Sequence, residues 1–353
     1  MSKNKVKPII TAVVASSLFL SGCGLFGSED QKKIDPPAVT ETTDKPTESQ
    51  ETSGQQTETE AEATATLKTE LYLIDKNGYV VPQTLALPKT NSVAKQALEY
   101  LVVNGQVTDM LPNDFRAVLP EDTQVSVDMD GTTAIVDFSK EFKNYQPEDE
   151  RKILESITWT LTQFDTIDKV KLQMNGHPLT EMPVNGTPIS DNLSRATGIN
   201  IDTAGVMDIT NTKPVTVYYI GGEEDNYYYV PVTRRVDTSV KDNVVAVINE
   251  LVEGPSSKSN LVSEFMADVK LLSEPEVDGG SVTLNFNESI YGSFDEKVVS
   301  KHLLNTLVLS LTEQKGIESV AVTVDGKADL VDDKGESLAE PVTRPEKVNT
   351  GSF

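Results

Sequence analysis

The sequence lacks the side chains on which most disulfide, redox and zinc chemistry depends. Its 353 residues include one cysteine, two histidines and one tryptophan. One cysteine excludes an internal disulfide and any site built from several thiolates. Two histidines argue against a histidine-based zinc site, because catalytic zinc usually takes two or three of them. Hydrophobic residues make up 37% of the chain and aromatic residues 6%, which is below the globular average. Part of the chain should therefore build no core.

Positive charge is also scarce, with 31 basic against 55 acidic residues and a net charge of −24. An acidic surface repels the phosphates of nucleic acids and of anionic lipids. We therefore expect no nucleic-acid partner, and membrane attachment must come from a separate element. The length is that of two domains, or of one large domain with a tail.

The N-terminus supplies such an element. Residues 1–22 have the pattern of a signal peptide, with three lysines before an apolar run at 9–20 that is too short to span a bilayer. The run ends in Leu20-Ser21-Gly22-Cys23, which resembles the bacterial lipobox. This resemblance implies cleavage before Cys23 and attachment of diacylglycerol and acyl chains (such as palmitate) to its thiol, which together anchor a protein stably. The alternative is a secreted protein with an incidental cysteine.

Residues 23–68 follow as a tether. From residue 29 to 66 they are mostly threonine, glutamate, glutamine, serine, proline and alanine, without apolar periodicity. Such a segment buries too little apolar surface to offset its ordering entropy, so we expect an acidic, disordered tether behind the lipidated cysteine. It is either a spacer that reaches through cell-wall material or a generic lipoprotein linker, and both interpretations predict the same composition.

The remaining chain contains one pattern twice, which calls for a search for internal repeats. Each copy opens with two apolar runs around a turn, which is typical of a β-hairpin. An amphipathic helix follows, capped by Asn91-Ser92 in the first copy and by Asp242-Asn243 in the second. The first helix should end near Gly105 and the second at Gly254. The predicted hairpins span 70–87 and 215–232.

Paired strands, a second helix and a closing strand complete each copy. The strands are predicted at 124–129 and 133–138, and at 269–275 and 281–286. The second helices are predicted at 148–164 and 295–311. From there on the copies align without gaps at an offset of 150 residues, so that Ile157 matches Leu307 and Gly176 matches Gly326.

The order ββαββαβ predicts an α+β fold. We expect two tandem domains, each with two helices packed on one face of an antiparallel or mixed sheet. The first domain is placed at 69–190, the linker at 191–213, the second domain at 214–342 and a C-terminal tail at 343–353.

Several motifs resemble the GerMN domain. In the first copy they are Ala97-Leu98-Glu99-Tyr100-Leu101, Leu119-Pro120-Glu121-Asp122-Thr123, Val125-Ser126-Val127, Gly131 and the run from Ala134 to Phe142. The second copy keeps Ile248-Asn249-Glu250-Leu251-Val252-Glu253-Gly254-Pro255, but reads Leu284-Asn285-Phe286-Asn287 where the first has Val136-Asp137-Phe138-Ser139, and lacks the Leu-Pro-x-x-Thr segment. Tandem copies behind a lipobox and an acidic linker resemble GerMN lipoproteins of endospore-forming bacteria.

This resemblance implies a non-enzymatic scaffold role in sporulation and spore germination. It implies a protein held in the outer forespore membrane, on the extracytoplasmic face, where it contacts other proteins of the channel-like complex between mother cell and forespore. The domain is also similar to ring-building modules of secretion systems. The alternative is a lipoprotein that binds or hydrolyses peptidoglycan, to which the chain would in either case lie close.

Catalytic patterns are weak. His177 and His302 lie near no serine or cysteine motif, and neither recurs in the other copy. The carboxylates Asp137 and Glu141, or those of residues 148–150, could form a glycosidase pair, but Asp137 becomes Asn285 in the second copy. The acidic turns at 128–131 and 332–336 lack the full ligand run of a calcium loop. We expect no enzyme, no cofactor and no metal.

A tyrosine cluster is the remaining candidate for a binding surface. Tyr218, Tyr219, Tyr227, Tyr228 and Tyr229 crowd the hairpin that opens the second copy. Alternation along a strand directs about half of them away from the core, and tyrosine is enriched at protein interfaces. Tyrosine is also common in plain hairpins, so the cluster predicts either a partner-binding surface or an ordinary strand pair.

Overall fold

A computed structural model describes residues 65–206, 209–223, 226–291 and 297–350. The predicted signal peptide, Cys23 and nearly all of the predicted tether lie outside these residues. Within them, no helix has both the length and the apolar character needed to cross a membrane.

The first domain contains seven strands and two α-helices within the described residues. Strands β2, β1 and β3 form an antiparallel sheet. Strands β4 to β7 form a second, mixed sheet, in which β5 and β6 are parallel because α2 provides the crossover between them. The elements are β1 (Thr66–Asp75), β2 (Val80–Pro88), α1 (Val93–Glu99), β3 (Phe115–Arg116), β4 (Val125–Asp130), β5 (Thr133–Phe138), α2 (Glu150–Leu161), β6 (Lys169–Met174) and β7 (His177–Pro178).

The second domain repeats this arrangement. Strands β8 and β9 form a long hairpin, and β10, β11, β13 and β15 form a mixed sheet with β11 and β13 parallel. A short parallel pair, β12 and β14, lies beside them. The elements are β8 (Thr212–Glu223), β9 (Asn226–Asp237), α3 (Asn243–Glu253), β10 (Glu276–Asp278), β11 (Ser281–Phe286), β12 (Val298–Val299), α4 (Lys301–Thr312), β13 (Ser319–Val324), β14 (Val331–Asp332) and β15 (Val342–Thr343).

The predicted α+β class and its duplication are confirmed. Helix α2 buries Ile153, Ile157 and Leu161, and α4 buries Leu303, Leu307 and Leu311 at the same spacing. Each of these helices contacts both the opening hairpin and the mixed sheet of its domain. Two large hydrophobic cores result, with a small third cluster of Tyr218, Leu309 and Val348. Val81 of β2 packs into the core of the second domain.

The helix predicted to reach Gly105 is shorter than expected. Helix α1 ends at Glu99, and the Ser92 side chain makes no capping hydrogen bond. The chain leaves the helix because the Leu101 carbonyl accepts from the N–H groups of Val118 and Leu119, and Val103 donates to the Leu119 carbonyl. Tertiary pairing thus replaces the last helical turn.

Two predictions in the second domain also differ from the structure. The strand predicted at 269–275 is instead β10 at Glu276–Asp278, and the predicted residues themselves form one isolated bridge, Leu271 to Phe286. The helix predicted to start at 295 starts at Lys301, where the Ser300 hydroxyl accepts from two backbone N–H groups. Val298 and Val299, which were expected in the helix, pair with β14.

Candidate functional site

Three of the five tyrosines predicted to bind a partner are buried within the chain. Tyr218, Tyr219 and Tyr228 are 0%, 1% and 5% exposed, and Tyr229 is partly buried. Tyr227 is 49% exposed. The described residues therefore cover most of the cluster but leave Tyr227 exposed, and the prediction that these tyrosines bind a partner needs correction at Tyr218, Tyr219 and Tyr228.

Two of these tyrosines bond to groups that explain their burial. The Tyr219 hydroxyl donates to the Glu250 carbonyl on α3 (2.9 Å). The Tyr228 hydroxyl crosses to the first domain and donates to Asp75 Oδ2 (2.7 Å). Asp75 in turn accepts from the N–H of Tyr79 in the first hairpin turn (2.7 Å). Tyr228 therefore belongs to the contact between the domains.

A buried ionic network surrounds Tyr218. Arg195 donates to both oxygens of Glu313 (2.9 and 2.6 Å), and the Tyr218 hydroxyl donates to the same carboxylate (2.9 Å). Arg344 lies 3.2 Å from Glu313 and 3.2 Å from the Tyr218 hydroxyl oxygen. Burial alone would raise the pKa of Glu313, but the two guanidinium groups hold it below its usual value. The carboxylate is thus ionised and paired twice.

The network is unequal between the domains. Glu313 follows α4, and the corresponding residue after α2 is Gln163, whose side chain bonds to both backbone groups of Glu70 (2.8 and 2.6 Å). Arg195 and Arg344 also correspond, each lying over an aromatic ring, at 4.5 Å from Trp159 and 5.6 Å from Tyr218. Both arginines therefore converge on the one carboxylate.

Asn200 fastens the two hairpins together. Its Nδ2 donates to the carbonyl of Val80 on β2 (2.7 Å) and to that of Pro231 on β9 (2.8 Å), while its Oδ1 accepts from the Val80 N–H (2.8 Å). The neighbouring residue Ile199 exchanges two hydrogen bonds with Thr233 of β9. We call residues 199–200 the first clasp.

Asn349 repeats these contacts with the domains exchanged. Its Nδ2 donates to the carbonyls of Pro82 (2.9 Å) and Tyr229 (2.8 Å), and its Oδ1 accepts from the Tyr229 N–H (2.7 Å). Val348 exchanges hydrogen bonds with Thr84 of β2. We call residues 348–349 the second clasp. Both asparagines have positive φ, 46° and 54°, which asparagine tolerates better than most residues.

The clasps change the interpretation of the predicted linker and tail. Each follows one domain and bonds to the hairpin of the other, as surfaces do in an isologous dimer. The segments expected to connect and to trail the domains thus form interdomain contacts. The sequence carries a faint signal for them, since Ile199-Asn200 and Val348-Asn349 occupy corresponding places.

A groove of about 550 Å³ lies beside the first clasp, and Glu155 of α2 lines it. The Glu155 side chain is buried: Oε2 accepts from the Asn200 N–H (3.0 Å), and Oε1 has no hydrogen-bond partner among the described residues. Burial raises the pKa of Glu155 to about 7, against the lowering effects of that hydrogen bond and of Arg151 and Lys152. Sequence reasoning did not single out this residue.

The carboxylates considered for glycoside hydrolysis have structural contacts. Asp137 accepts from the Gly176 N–H and Asn285 from the Gly326 N–H, both at 2.9 Å, so either side chain serves the same turn. Glu150 is buried; burial would raise its pKa, but the N–H groups of residues 184, 185 and 187 and the Tyr145 hydroxyl donate to it and hold the pKa at about 2.

The two histidines have ordinary surface and packing surroundings. His177 lies exposed on β7. His302 Nδ1 lies 3.0 Å from the Tyr229 hydroxyl oxygen, and its ring packs edge-on against Tyr227 with centroids 5.0 Å apart. Over the described ranges, no group of three or more histidine, cysteine or carboxylate side chains could hold a metal ion.

A partly apolar groove lies along α3 of the second domain. A groove between α3 and residues 267–271 is lined by Val245, Val252 and Leu271, and Leu272 beside it is 51% exposed. On α1 the place of Val245 is taken by Lys95, which pairs with Glu99 (3.2 Å). We call this groove, with Leu272, the α3 surface.

The edge strands of the two mixed sheets also differ in the residues that they expose. Edge strand β4 of the first domain exposes Ser126, Asp128 and Asp130, which discourage pairing with another chain. Edge strand β10 has only three residues, all exposed, and its Val277 is 58% exposed. The second domain therefore exposes two large apolar side chains, Leu272 and Val277, that lie close together in the sequence.

Comparison with known proteins agrees with the duplication. The Germane family, described as sporulation and spore germination, matches residues 70–180 and 216–329. The spore germination protein GerM of Bacillus subtilis (strain 168) is 58% identical over 354 residues, which cover 96% of each chain. A solved structure titled tandem GerMN domains of the sporulation protein GerM from Bacillus subtilis matches with a TM-score of 0.77 and 61% identity, over 81% of this chain and 100% of that chain. These names describe spore processes and not a reaction.

Proposed function

The chain belongs to the Germane family of sporulation and spore germination proteins, and from this premise we propose that it is a lipid-anchored extracytoplasmic scaffold. It binds other proteins of the channel-like complex between mother cell and forespore, and thereby supports that complex. Its position is the outer forespore membrane, facing the space between the two cells.

The observation that carries the proposal is the α3 surface. Val245, Val252, Leu271 and Leu272 present apolar area at a place where the first domain carries an ion pair. Glu253 and Lys270 line the groove, and three further acids, Asp268, Glu274 and Glu276, lie close to Leu271 and Leu272 in the sequence, so acids outnumber bases here. The surface therefore fits a polypeptide that combines apolar side chains with lysine or arginine, because such a partner gains from both apolar burial and opposite charge.

The two clasps support the same role. They fix the domains to each other through paired asparagines and the Glu313 network, so a partner held by one domain is held in a defined orientation to the other. A fixed orientation lowers the ordering cost of binding. Such rigidity suits a scaffold, in which position matters more than chemistry.

The anchoring half is tested by Cys23→Ala. In Bacillus subtilis cells that lack their own GerM, the intact chain should fractionate with membranes, and the Cys23→Ala chain should be released or left with an uncleaved signal peptide. Lipid attachment is contradicted if the processed Cys23→Ala protein stays in the membrane fraction although no other envelope protein is bound to it.

The scaffold half is tested by capture from the same sporulating cells. Val245→Lys together with Leu272→Lys should abolish recovery of extracytoplasmic partner proteins, because it buries charge against apolar side chains. Lys95→Ala on the first domain is the matched control and should leave recovery unchanged. Equal recovery with the double variant contradicts the proposal.

A cell-wall assay separates the rival functions. Residues 65–353 are incubated with purified peptidoglycan, and released fragments and sedimented protein are measured. We expect neither release nor co-sedimentation. Release of fragments makes the protein a hydrolase, and co-sedimentation without release makes it a glycan-binding module.

A further inference from the structure

The groove beside the first clasp is built from both domains. Tyr79 and Glu155 come from the first domain, Lys258 and Leu261 from the second, and Asn200 from the clasp between them. Concave sites with a few polar groups at a domain junction are common places for small ligands. The groove is therefore a separate candidate from the α3 surface.

Glu155 is the unusual group in this groove. It is 7% exposed, and its Oε1 has no hydrogen-bond partner in the described parts of the chain. One turn along α2, the Thr158 hydroxyl is likewise buried and unpartnered, and both residues line an adjoining pocket of about 270 Å³. Two buried polar side chains without hydrogen-bond partners among the described residues lie on one face of the helix, and buried polar groups are rarely left unpaired.

The fold does not require an acid at this position. Helix α4 has Asn305 where α2 has Glu155, and the Asn305 amide donates to the Tyr229 hydroxyl oxygen (2.8 Å). The second domain thus fills the place with a neutral, hydrogen-bonded side chain. The acid in the first domain therefore has a role other than holding the helix in place.

Basic side chains lie at the same groove. Arg151 and Lys258 have no ion pair with the described residues, whereas Lys152 is bonded to Asp149 (3.1 Å). Of the other acids there, Asp202 is paired with Arg234 (2.9 Å), and Glu148 is exposed. One buried acceptor and two unpaired cations therefore face one space.

We propose that this groove binds a small zwitterion, an amino acid or a short peptide, with its ammonium group on Glu155 and its carboxylate facing Arg151 and Lys258. The ammonium supplies the donor that Glu155 Oε1 lacks, and a charged donor on a buried carboxylate makes a strong hydrogen bond. Because Glu155 also holds the Asn200 N–H, the ligand acts directly on the first clasp.

The proposal is tested by calorimetric titration of the purified full chain with glycylglycine. We expect saturable binding. N-acetylglycylglycine, which lacks the ammonium group, and glycylglycinamide, which lacks the carboxylate, should each bind about tenfold or more weakly. In NMR spectra the Asn200 amide signal should shift with glycylglycine, while the Thr84 amide at the second clasp should not.

Variants complete the test. Glu155→Gln should abolish binding, Lys258→Ala should weaken it, and Glu340→Gln, an exposed residue elsewhere, should leave it unchanged. Lys258 is exposed, so Lys258→Ala should fold normally. It therefore tests the proposal even if Glu155→Gln alters folding. No binding of glycylglycine to the intact chain, equal binding of the acetylated compound, or undiminished binding to both groove variants overturns the proposal.

Discussion

The two domains share a fold and exchange equivalent clasps, yet they differ at single positions with large consequences. Glu313 corresponds to Gln163, Glu155 to Asn305 and Val245 to Lys95. At the clasps the residues match and the contacts match as well. Positions that agree therefore hold the molecule together, and positions that differ mark what each domain does for itself.

The first difference predicts the largest effect. Glu313→Ala removes the carboxylate that pairs with Arg195 and Arg344, whose side chains are 28% and 25% exposed, and leaves Arg344 with Glu70 at 3.6 Å. Because solvent partly screens both arginines, the loss should be about 3 kcal/mol, the lower end of the cost of breaking a fully buried ion pair. Gln163→Ala should cost about 2 kcal/mol, since it removes neutral hydrogen bonds only. Chemical denaturation measures both free energies of unfolding. Equal losses would show that the network does not depend on the Glu313 charge.

The second difference predicts a pH dependence. The folded-state pKa of Glu155 is raised to about 7 from a usual 4.5, so its contribution to stability is largest at low pH and is lost as pH rises through this window. The loss should reach about 3 kcal/mol by pH 8. Glu155→Gln should remove that part of the pH dependence and be more stable than the parent at pH 8.

The matched control lies in the second domain. Asn305→Ala should lower stability by a similar amount at every pH, because it removes an uncharged hydrogen bond. Denaturation curves at pH 5 and pH 8 distinguish the two cases. An unchanged pH profile for Glu155→Gln contradicts the burial of an unpaired acid.

The two clasps make equivalent contacts, so we expect equal losses of stability when either is disrupted. Asn200→Ala and Asn349→Ala each remove three hydrogen bonds between the hairpins, so each should cost about 2–3 kcal/mol. Urea denaturation of the two variants tests this. A difference of more than about 1 kcal/mol between their free energies of unfolding would indicate that one clasp contributes most of the interdomain stability.

The N-terminal caps of α1 and α3 should have the smallest effect on stability. Asp242 accepts from the N–H groups of Val244 and Val245, whereas Ser92 makes no capping bond. Asp242→Ala should therefore cost about 1 kcal/mol and Ser92→Ala less than about 0.5 kcal/mol. Thermal melting resolves this difference. A larger loss at Ser92 would mean that the first helix is capped in solution.

Local signals predicted the fold well where local interactions decide it. Helix α3 starts after Asp242 and ends at Gly254 as expected, since a cap and a positive-φ glycine act on their own neighbours. The hairpins and the parallel β5–β6 and β11–β13 pairs also agree with the repeated pattern. The sequence did not predict that α1 ends at Glu99, because hydrogen bonds with the distant residue Leu119 end the helix there.

The candidate site was less accessible from sequence. Alternation suggested exposed tyrosines, but Tyr218 and Tyr228 are covered by contacts with residues far away in the chain. Glu155 and Glu313 did not stand out among the many acids of the sequence, and the burial of their side chains in the structure is what distinguishes them. The short repeat of Ile199-Asn200 and Val348-Asn349 can be recognised as an interdomain contact only when its partners on β2 and β9 are known.

The central claim is that the second domain, through its α3 surface, carries the protein contacts of the scaffold. A photo-crosslinking amino acid placed at position 245 or, in a separate chain, at position 95 tests it directly in sporulating Bacillus subtilis cells that lack their own GerM. We predict a discrete adduct with an extracytoplasmic membrane protein at position 245 and none at position 95. Equal adducts at both positions, or none at position 245 in cells whose spores germinate normally, contradict the account.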